Sequence, residues 1–265
     1  MELPLQRFIH IEDMSKHLYK YLRTEVFPTP FCSGCGHGIL MGAILRAIDE
    51  LGYEMSGMLF VSGIGCGAWI PSPHFAADTL HVTHGRPVAF ATGAKLFKPS
   101  LKVVVISGDG DIASIGGNHL IHAARRDIDL TVICANNGIY GMTGGQVAAS
   151  TPLDVKTSTT PDGNRERPFD LCRLVGAAGG TYVSRYSVHQ VKPLIRSIKN
   201  GLEHQGFSFI EVLSPCPTQF GRRNVSGTAY EMLETLKGDC VSKQKAEGMS
   251  PEELVGTIVT GEFVT

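Results

Sequence analysis

The chain is expected to fold as an α/β protein, with a doubly wound, mostly parallel sheet. Three observations carry that expectation. Short β-branched and apolar runs alternate along the chain with stretches of helical periodicity. The run "LKVVVIS" (101–107) is too short for a helix and has the near-continuous apolar character of a parallel strand covered on both faces. Glycine-rich and polar turns follow these runs, at the carboxyl ends of the strands, where open α/β sheets take their ligands.

In chain order, residues 1–30 read as an N-terminal arm with a short helix, ended by "FPTP". In "GILMGAILRAIDELG", Ile39, Leu40, Ala43, Ile44, Ala47, Ile48 and Leu51 fall at helical spacing. A buried strand "MLFVS" (58–62) runs into "GIGCG", and "RPVAFATGAKLF" is expected to be a helix stopped before Pro99. After "LKVVVIS" a helix is expected over roughly 114–126, then the strand "DLTVICA" (129–135). A helix near 169–177, the strand "TYVS", a helix over 188–204 opened by Ser187, and the strand "FSFIEVL" (207–213) complete the alternation. Residues 143–168 read as a polar loop and 221–265 as a C-terminal tail, so the whole of 1–265 is expected to be a single domain. There is no internal repeat and no low-complexity tract.

A formal net charge of −1 with no dense Lys/Arg run speaks against a nucleic-acid surface. No apolar run approaches the roughly 20 residues of a membrane helix, and the N-terminus shows no signal-peptide pattern. Seven cysteines without the dense spacing of a disulfide scaffold fit ligands plus buried thiols in a reducing cytoplasm, the expected location.

The first functional signal is "VVVISGDGDIASIGG", a strand running through Gly108-Asp109-Gly110 into a helix. Glycines let backbone approach a pyrophosphate, and a helix start presents free N–H groups to an anion. Gly108, Gly110 and Ala113 also satisfy a loose dinucleotide pattern, so a nicotinamide-dependent dehydrogenase is an alternative. Against it, the next strand ends in Asn136-Asn137-Gly138 rather than in the acid that would hold a ribose. Asp109 inside the loop would repel a bare phosphate unless a divalent cation stood between them. Asp109 and Asn137 end two strands joined by one right-handed crossover and so lie side by side. A carboxylate, an amide oxygen and a nearby carbonyl suit magnesium, an ion that thiamine diphosphate needs and NAD does not.

The second signal is cysteine placement. "FCSGCGHG" (31–38) offers Cys32 and Cys35 just ahead of a helix, while Cys66 and Cys216 each follow a strand. All four can face the rim that carries the magnesium site, as a Cys₄ zinc or iron–sulfur centre; a zinc-stapled, non-catalytic module is the second alternative. Cys134 and Cys172 read as core thiols, and Cys240 as a bystander. His119 and His122 read as structural, and Arg86 and Lys95 equally as helix-start ion pairs.

With these residues in view, "GDGD" followed by "ANNGIYGMTGGQ", in which Asn137 stands 28 residues after Asp109, resembles the thiamine diphosphate motif. The ordered set "CSGCGHG", "GIGCG", "THGR", "TGAKL", "GDGD", "NNGIYGMTGGQ" and "SPCP" resembles the β subunit of 2-oxoacid:ferredoxin oxidoreductases over about residues 30–220. The resemblance implies a thiamine diphosphate-binding fold, with magnesium held by Asp109, Asn137 and the carbonyl of Ile139. It places Gly110, Asp111, Gly141 and Met142 along the diphosphate, and Ile64, Gly65, Cys66, Gly67 and His84 against the cofactor, His84 being the one catalytic candidate. Cys32, Cys35, Cys66 and Cys216 would carry one 4Fe–4S cluster. Ser33 stands where the family usually has proline, but between ligands rather than on one. The implied reaction is oxidative decarboxylation of a 2-oxoacid to an acyl-coenzyme A, with ferredoxin taking the electrons. "TTPDGNRERPFDL" and "CPTQFGRRN" look most like the 2-oxoglutarate branch, followed by 2-oxoisovalerate and then pyruvate. Neither Glu166 nor Glu211 has a context suited to activating thiamine. By resemblance that glutamate comes from an α subunit, so the chain is expected to be inactive alone and to work in a dimer of αβ heterodimers.

Overall fold

The computed structural model describes residues 16–225 and 227–265. These form an eight-stranded sheet: β1 (Met58–Ser62), β2 (Asp78–His81), β3 (Lys102–Gly108), β4 (Leu130–Asn136), β5 (Tyr182–Ser187), β6 (Phe207–Leu213), β7 (Cys240–Ser242) and β8 (Ile258–Val264). The spatial order is β2-β1-β3-β4-β6-β5-β8-β7. Every ladder is parallel except β5 with β8. From β1 the chain moves outward to β2 and returns to β3 on the other side of β1, so the strand order reverses between β1 and β3. That reversal opens a crevice at their carboxyl ends.

Alternation along the central strands supplies two cores. Met58 and Phe60, Val104 and Ile106, and Ile210 and Val212 face one side, with Leu40, Ile44 and Ile48 of α1 (His37–Leu51). Leu59 and Val61, Val103 and Val105, and Phe207 and Phe209 face the other. There they meet α2 (Pro87–Phe97), α3 (Gly117–Arg125) and α4 (Leu171–Ala177), while α5 (Val191–Glu203) joins α1 on the first face. Period-2 apolar runs buried on both sides are the reason for the doubly wound arrangement.

The expected strands and helices are present with shifted ends. The arm's described part forms single 3₁₀ turns at His17–Tyr21 and Thr24–Val26, and the rest of that expectation, 1–15, lies outside the described residues. The expected helix at 114–126 begins instead as a wide π turn, Gly110–Ile115, before α3. Ser187 does not open α5; it ends β5, and its N–H donates to Gln190 Oε1 at 3.1 Å. The segment 221–265 is more than a tail. A capping box between Thr228 and Glu231 opens α6 (Ala229–Asp239), and β8 then returns to the sheet against β5. Among the described residues no helix is long and apolar enough to cross a membrane.

Phe60 is fully buried in β1 and meets Phe75 edge-on at 5.0 Å. Phe60→Ala is expected to cost about 3–5 kcal/mol of unfolding free energy, measured by denaturant titration against the wild type.

Candidate cofactor and cluster site

Gly108 pairs with Ala135 across β3 and β4, so Asp109 and Asn137 leave the sheet as neighbours. The Asn137 N–H donates to Asp109 Oδ1 at 3.3 Å, and the Ser150 hydroxyl donates to Oδ2. Asp109 is 1% exposed, and burial pushes its carboxyl up to about 6 despite those donors; the acidic Glu211 pushes the same way. A buried carboxylate is costly without a counter-charge, a cost that protonation or a divalent cation would relieve. Asn137 folds over its own loop, Oδ1 accepting from the Ile139 N–H at 3.1 Å, as an Asx turn does. Asp109, Asn137 and Ile139 all line one cavity, and a carboxylate, an amide oxygen and a main-chain carbonyl drawn from them would make a hard oxygen set that fits magnesium.

A cavity of about 180 Å³ lies over this loop, and Gly65, Gly67, Gly108, Gly110 and Gly141 contribute to its wall. A glycine-walled hollow beside an uncompensated carboxylate fits a diphosphate bridged by a cation. Asp111 is part of the wall, but its carboxylate braces rather than reaches. Oδ1 accepts from the Gly85 N–H at 2.7 Å and the Ile64 N–H at 3.2 Å, and is 2.6 Å from His84 Nδ1. Its Oδ2 is buried with no partner among the described residues, and a Cβ on Gly63 would collide with it. Asp111 thus ties the loop after β1 to the "THGR" loop through the floor of the crevice. His84, with Nδ1 engaged, keeps Nε2 for a ligand, and its ring meets Tyr140 edge-on at 5.6 Å. Ile64 and Met142 stand on the cavity wall, both partly exposed.

A second cavity, about 280 Å³, is lined by all four expected cluster cysteines, Cys32, Cys35, Cys66 and Cys216. The Cys32–Cys35 turn closes through the Cys35 N–H to the Cys32 carbonyl, 3.0 Å, and the Gly36 N–H reaches the Pro215 carbonyl at 3.2 Å. Cys216 Sγ accepts from the Gln219 N–H at 3.5 Å. Burial, and then the neighbouring cysteines, push the Cys35 and Cys66 thiols up to about 11. Four thiolates gathered here would be costly without a cationic centre. As placed, no three or more His, Cys, Asp or Glu among the described residues form a group that could hold a metal ion. The four-sulfur donor set suits either a Cys₄ zinc site or a 4Fe–4S cluster.

The two cavities share a wall of Cys66, Asn137, Gly141 and Met142. A Cβ on Gly141 would lie 3.6 Å from Cys66 Sγ and 3.7 Å from both Cys216 Sγ and Asn137 Nδ2. Sulfur and amide from two chemical sites therefore converge on one glycine.

The sequence reading missed several residues. Ser150 reaches Asp109 from a loop without periodicity. Tyr140 donates its hydroxyl to the Gly110 carbonyl at 2.8 Å. His37 lines the cysteine cavity, held down to about 4 by burial and 2.8 Å from Ser214 Oγ; its place directly after "CSGCG" is a usable signal. Elsewhere Cys134 and Cys172 are buried in the core, and Lys95 pairs with Asp129 at 2.7 Å.

Asp109 has a consequence for stability. Its carboxyl rises from an ordinary 3.8 to about 6 on folding, so its stabilising contribution is present below pH 4 and lost as pH climbs to 6. Without divalent cations, the stability of Asp109→Asn relative to wild type is expected to improve by up to about 3 kcal/mol between pH 4 and pH 7. Denaturant titrations in EDTA check this, and a flat difference contradicts it.

The family model for the thiamine pyrophosphate enzyme C-terminal TPP binding domain matches residues 63–212. That span includes the phosphate loop, so the dinucleotide pattern of Gly108, Gly110 and Ala113 gives way to thiamine binding. The chain is 52% identical to the 2-oxoglutarate synthase subunit KorB of Methanocaldococcus jannaschii, over 92% of this chain and 90% of that one. It is 44% identical to the 2-oxoacid:ferredoxin oxidoreductase subunit beta of Saccharolobus solfataricus, over 71% of this chain and 62% of the relative. A solved 2-oxoglutarate:ferredoxin oxidoreductase from Magnetococcus marinus, with 2-oxoglutarate, coenzyme A and succinyl-CoA bound, superposes with a TM-score of 0.83 at 30% identity, covering 94% of this chain and 84% of that one. The doubly wound sheet, its glycine-walled crevice and these likenesses lead to one conclusion: the chain belongs to the β-subunit family of the 2-oxoacid:ferredoxin oxidoreductases.

Proposed function

We propose that the chain is the β subunit of a 2-oxoglutarate:ferredoxin oxidoreductase, which converts 2-oxoglutarate and coenzyme A to succinyl-coenzyme A and carbon dioxide, with two electrons passed to ferredoxin. The observation that carries this reading is the wall shared by the oxygen-lined and sulfur-lined cavities. Bound thiamine diphosphate supplies an electron sink for decarboxylation, and a 4Fe–4S cluster supplies a one-electron acceptor beside it. Asp109, Asn137 and the Ile139 carbonyl hold magnesium against the diphosphate, and Gly110 and Gly141 leave room for it. The Asp111 carboxylate holds His84 at one nitrogen, so that the other can orient the cofactor. Cys32, Cys35, Cys66 and Cys216 hold the cluster, and burial on the Cys216 side limits water there. The choice of 2-oxoglutarate over other 2-oxoacids rests on the curated relatives named for it.

Among the described residues no glutamate lines either cavity. The proton-transferring glutamate that thiamine enzymes use is therefore assigned to an α subunit, in an assembly of two αβ heterodimers.

Three measurements test this reading. Co-purified with its α subunit, the chain is expected to support 2-oxoglutarate-dependent viologen reduction, with 2-oxoisovalerate and pyruvate as weaker substrates, while the chain alone shows none. Full activity of the lone chain would refute the division of labour. Anaerobically purified protein is expected to be brown and to contain iron; one zinc and no iron would overturn the cysteine assignment. Cys32→Ser, at a cysteine that lines only the sulfur-lined cavity, is expected to lose iron and visible absorption while keeping magnesium-dependent thiamine diphosphate binding, measured by calorimetry.

A further inference from the structure

Strand β6 carries a glutamate where its same-face neighbours Phe207 and Phe209 are aromatic, and Glu211 is 2% exposed. Its Oε2 accepts from Arg185 Nε at 2.7 Å, across the β5–β6 ladder that pairs the two residues. Arg185 is held on every side: Nη2 donates to Asp170 Oδ1 at 2.6 Å, Nη1 to the Val259 carbonyl at 3.4 Å, and its guanidinium lies 5.5 Å from the Phe263 ring centroid. Buried ion pairs of this kind seldom add net stability over an apolar pair, so a buried glutamate in a sheet core calls for another reason.

The other carboxylate oxygen supplies one. Glu211 Oε1 accepts from Asn136 Nδ2 at 2.7 Å, and Asn136 Oδ1 accepts from the Gly138 N–H at 2.9 Å. The Asn136 carbonyl also accepts from the Ser214 N–H at 2.8 Å, at the root of the loop that carries Cys216. One residue thus braces the Asn137–Ile139 loop with its side chain and the Cys216 loop with its backbone. We propose that the Arg185–Glu211 pair, acting through Asn136, is a positioning device that holds the Asn137–Ile139 loop in its cation-binding shape. The pair touches neither metal nor cofactor; it fixes which way the Asn136 amide points. The inference rests on the magnesium site argued above.

The polarity of this chain of hydrogen bonds can be reversed. Asn136→Asp alone sets two carboxylates face to face, and Glu211→Gln alone leaves one amide serving two donors. When both changes are made, the new glutamine can donate through Nε2 to the new aspartate and accept from Arg185 through Oε1. The aspartate still accepts from the Gly138 N–H. With the αβ complex stripped of magnesium and thiamine diphosphate, calorimetric titration with both is expected to show each single variant binding about tenfold or more weakly than wild type. The double variant is expected to recover to within about threefold. Thermal midpoints of the stripped complexes are read in parallel. A merely structural role would move those midpoints and leave the dissociation constants unchanged, and that outcome overturns the proposal. So does a double variant no better than its weaker parent. If Asn136→Asp does not fold, Glu211→Gln and the double variant still decide, because the second change must then tighten binding. Absence of magnesium-dependent binding in wild type would instead defeat the magnesium site itself, and this inference with it.

Discussion

The arrangement depends on the flush parallel alignment of β1, β3, β4 and β6. Because β3 pairs with β4 and β4 with β6 in continuous register, the loops bearing Cys66, Asp109, Asn137 and Cys216 emerge along one rim. Residues up to 150 positions apart in the chain become neighbours without any of them having to reach. The reversal of strand order between β1 and β3 opens the crevice there. The "CSGCG" turn then closes over it from the start of α1, tied down at Gly36 and Pro215.

Electrostatics complete what topology begins. The rim collects groups that are unfavourable as a protein alone: a buried carboxylate beside a second acid, and thiols crowded against one another. Each is a cost to folding that bound cations would offset, because the burial that raises the acid and thiol pKa values also disfavours their charged forms without a counter-charge. Asp111 is handled differently. Two backbone N–H groups and an imidazole satisfy one of its oxygens, and it acts as a brace between loops rather than as a ligand.

Much of this is legible in the sequence, for a physical reason. Parallel strands buried on both faces read as continuous apolar runs, and the residues just after such a run must sit at the ligand-bearing rim. Asp109, Asn137, Cys66 and Cys216 can therefore be placed at that rim from local order, while their ligand roles come from the family resemblance. The features that escape depend on long-range partners. Ser150 reaches Asp109 from a loop with no periodic signal. In β8, Gly261 and Glu262 interrupt the apolar pattern, and the pairing with β5 carries a shift in register. Ser187 looks like a helix cap in sequence but is the last residue of β5, paired with Leu213 of β6. Glu211 looks unemployed in sequence because its partners, Arg185 and Asn136, lie on two neighbouring strands.

Replacing magnesium by manganese in the assembled, reduced enzyme gives the most direct test of the central claim, that the oxygen site and the thiolate site are separated by a single layer of residues at Gly141. Paramagnetic resonance should then show strong magnetic coupling between the manganese ion and the reduced cluster, with faster spin relaxation than in the magnesium form. A manganese signal indifferent to the redox state of the cluster would contradict the account.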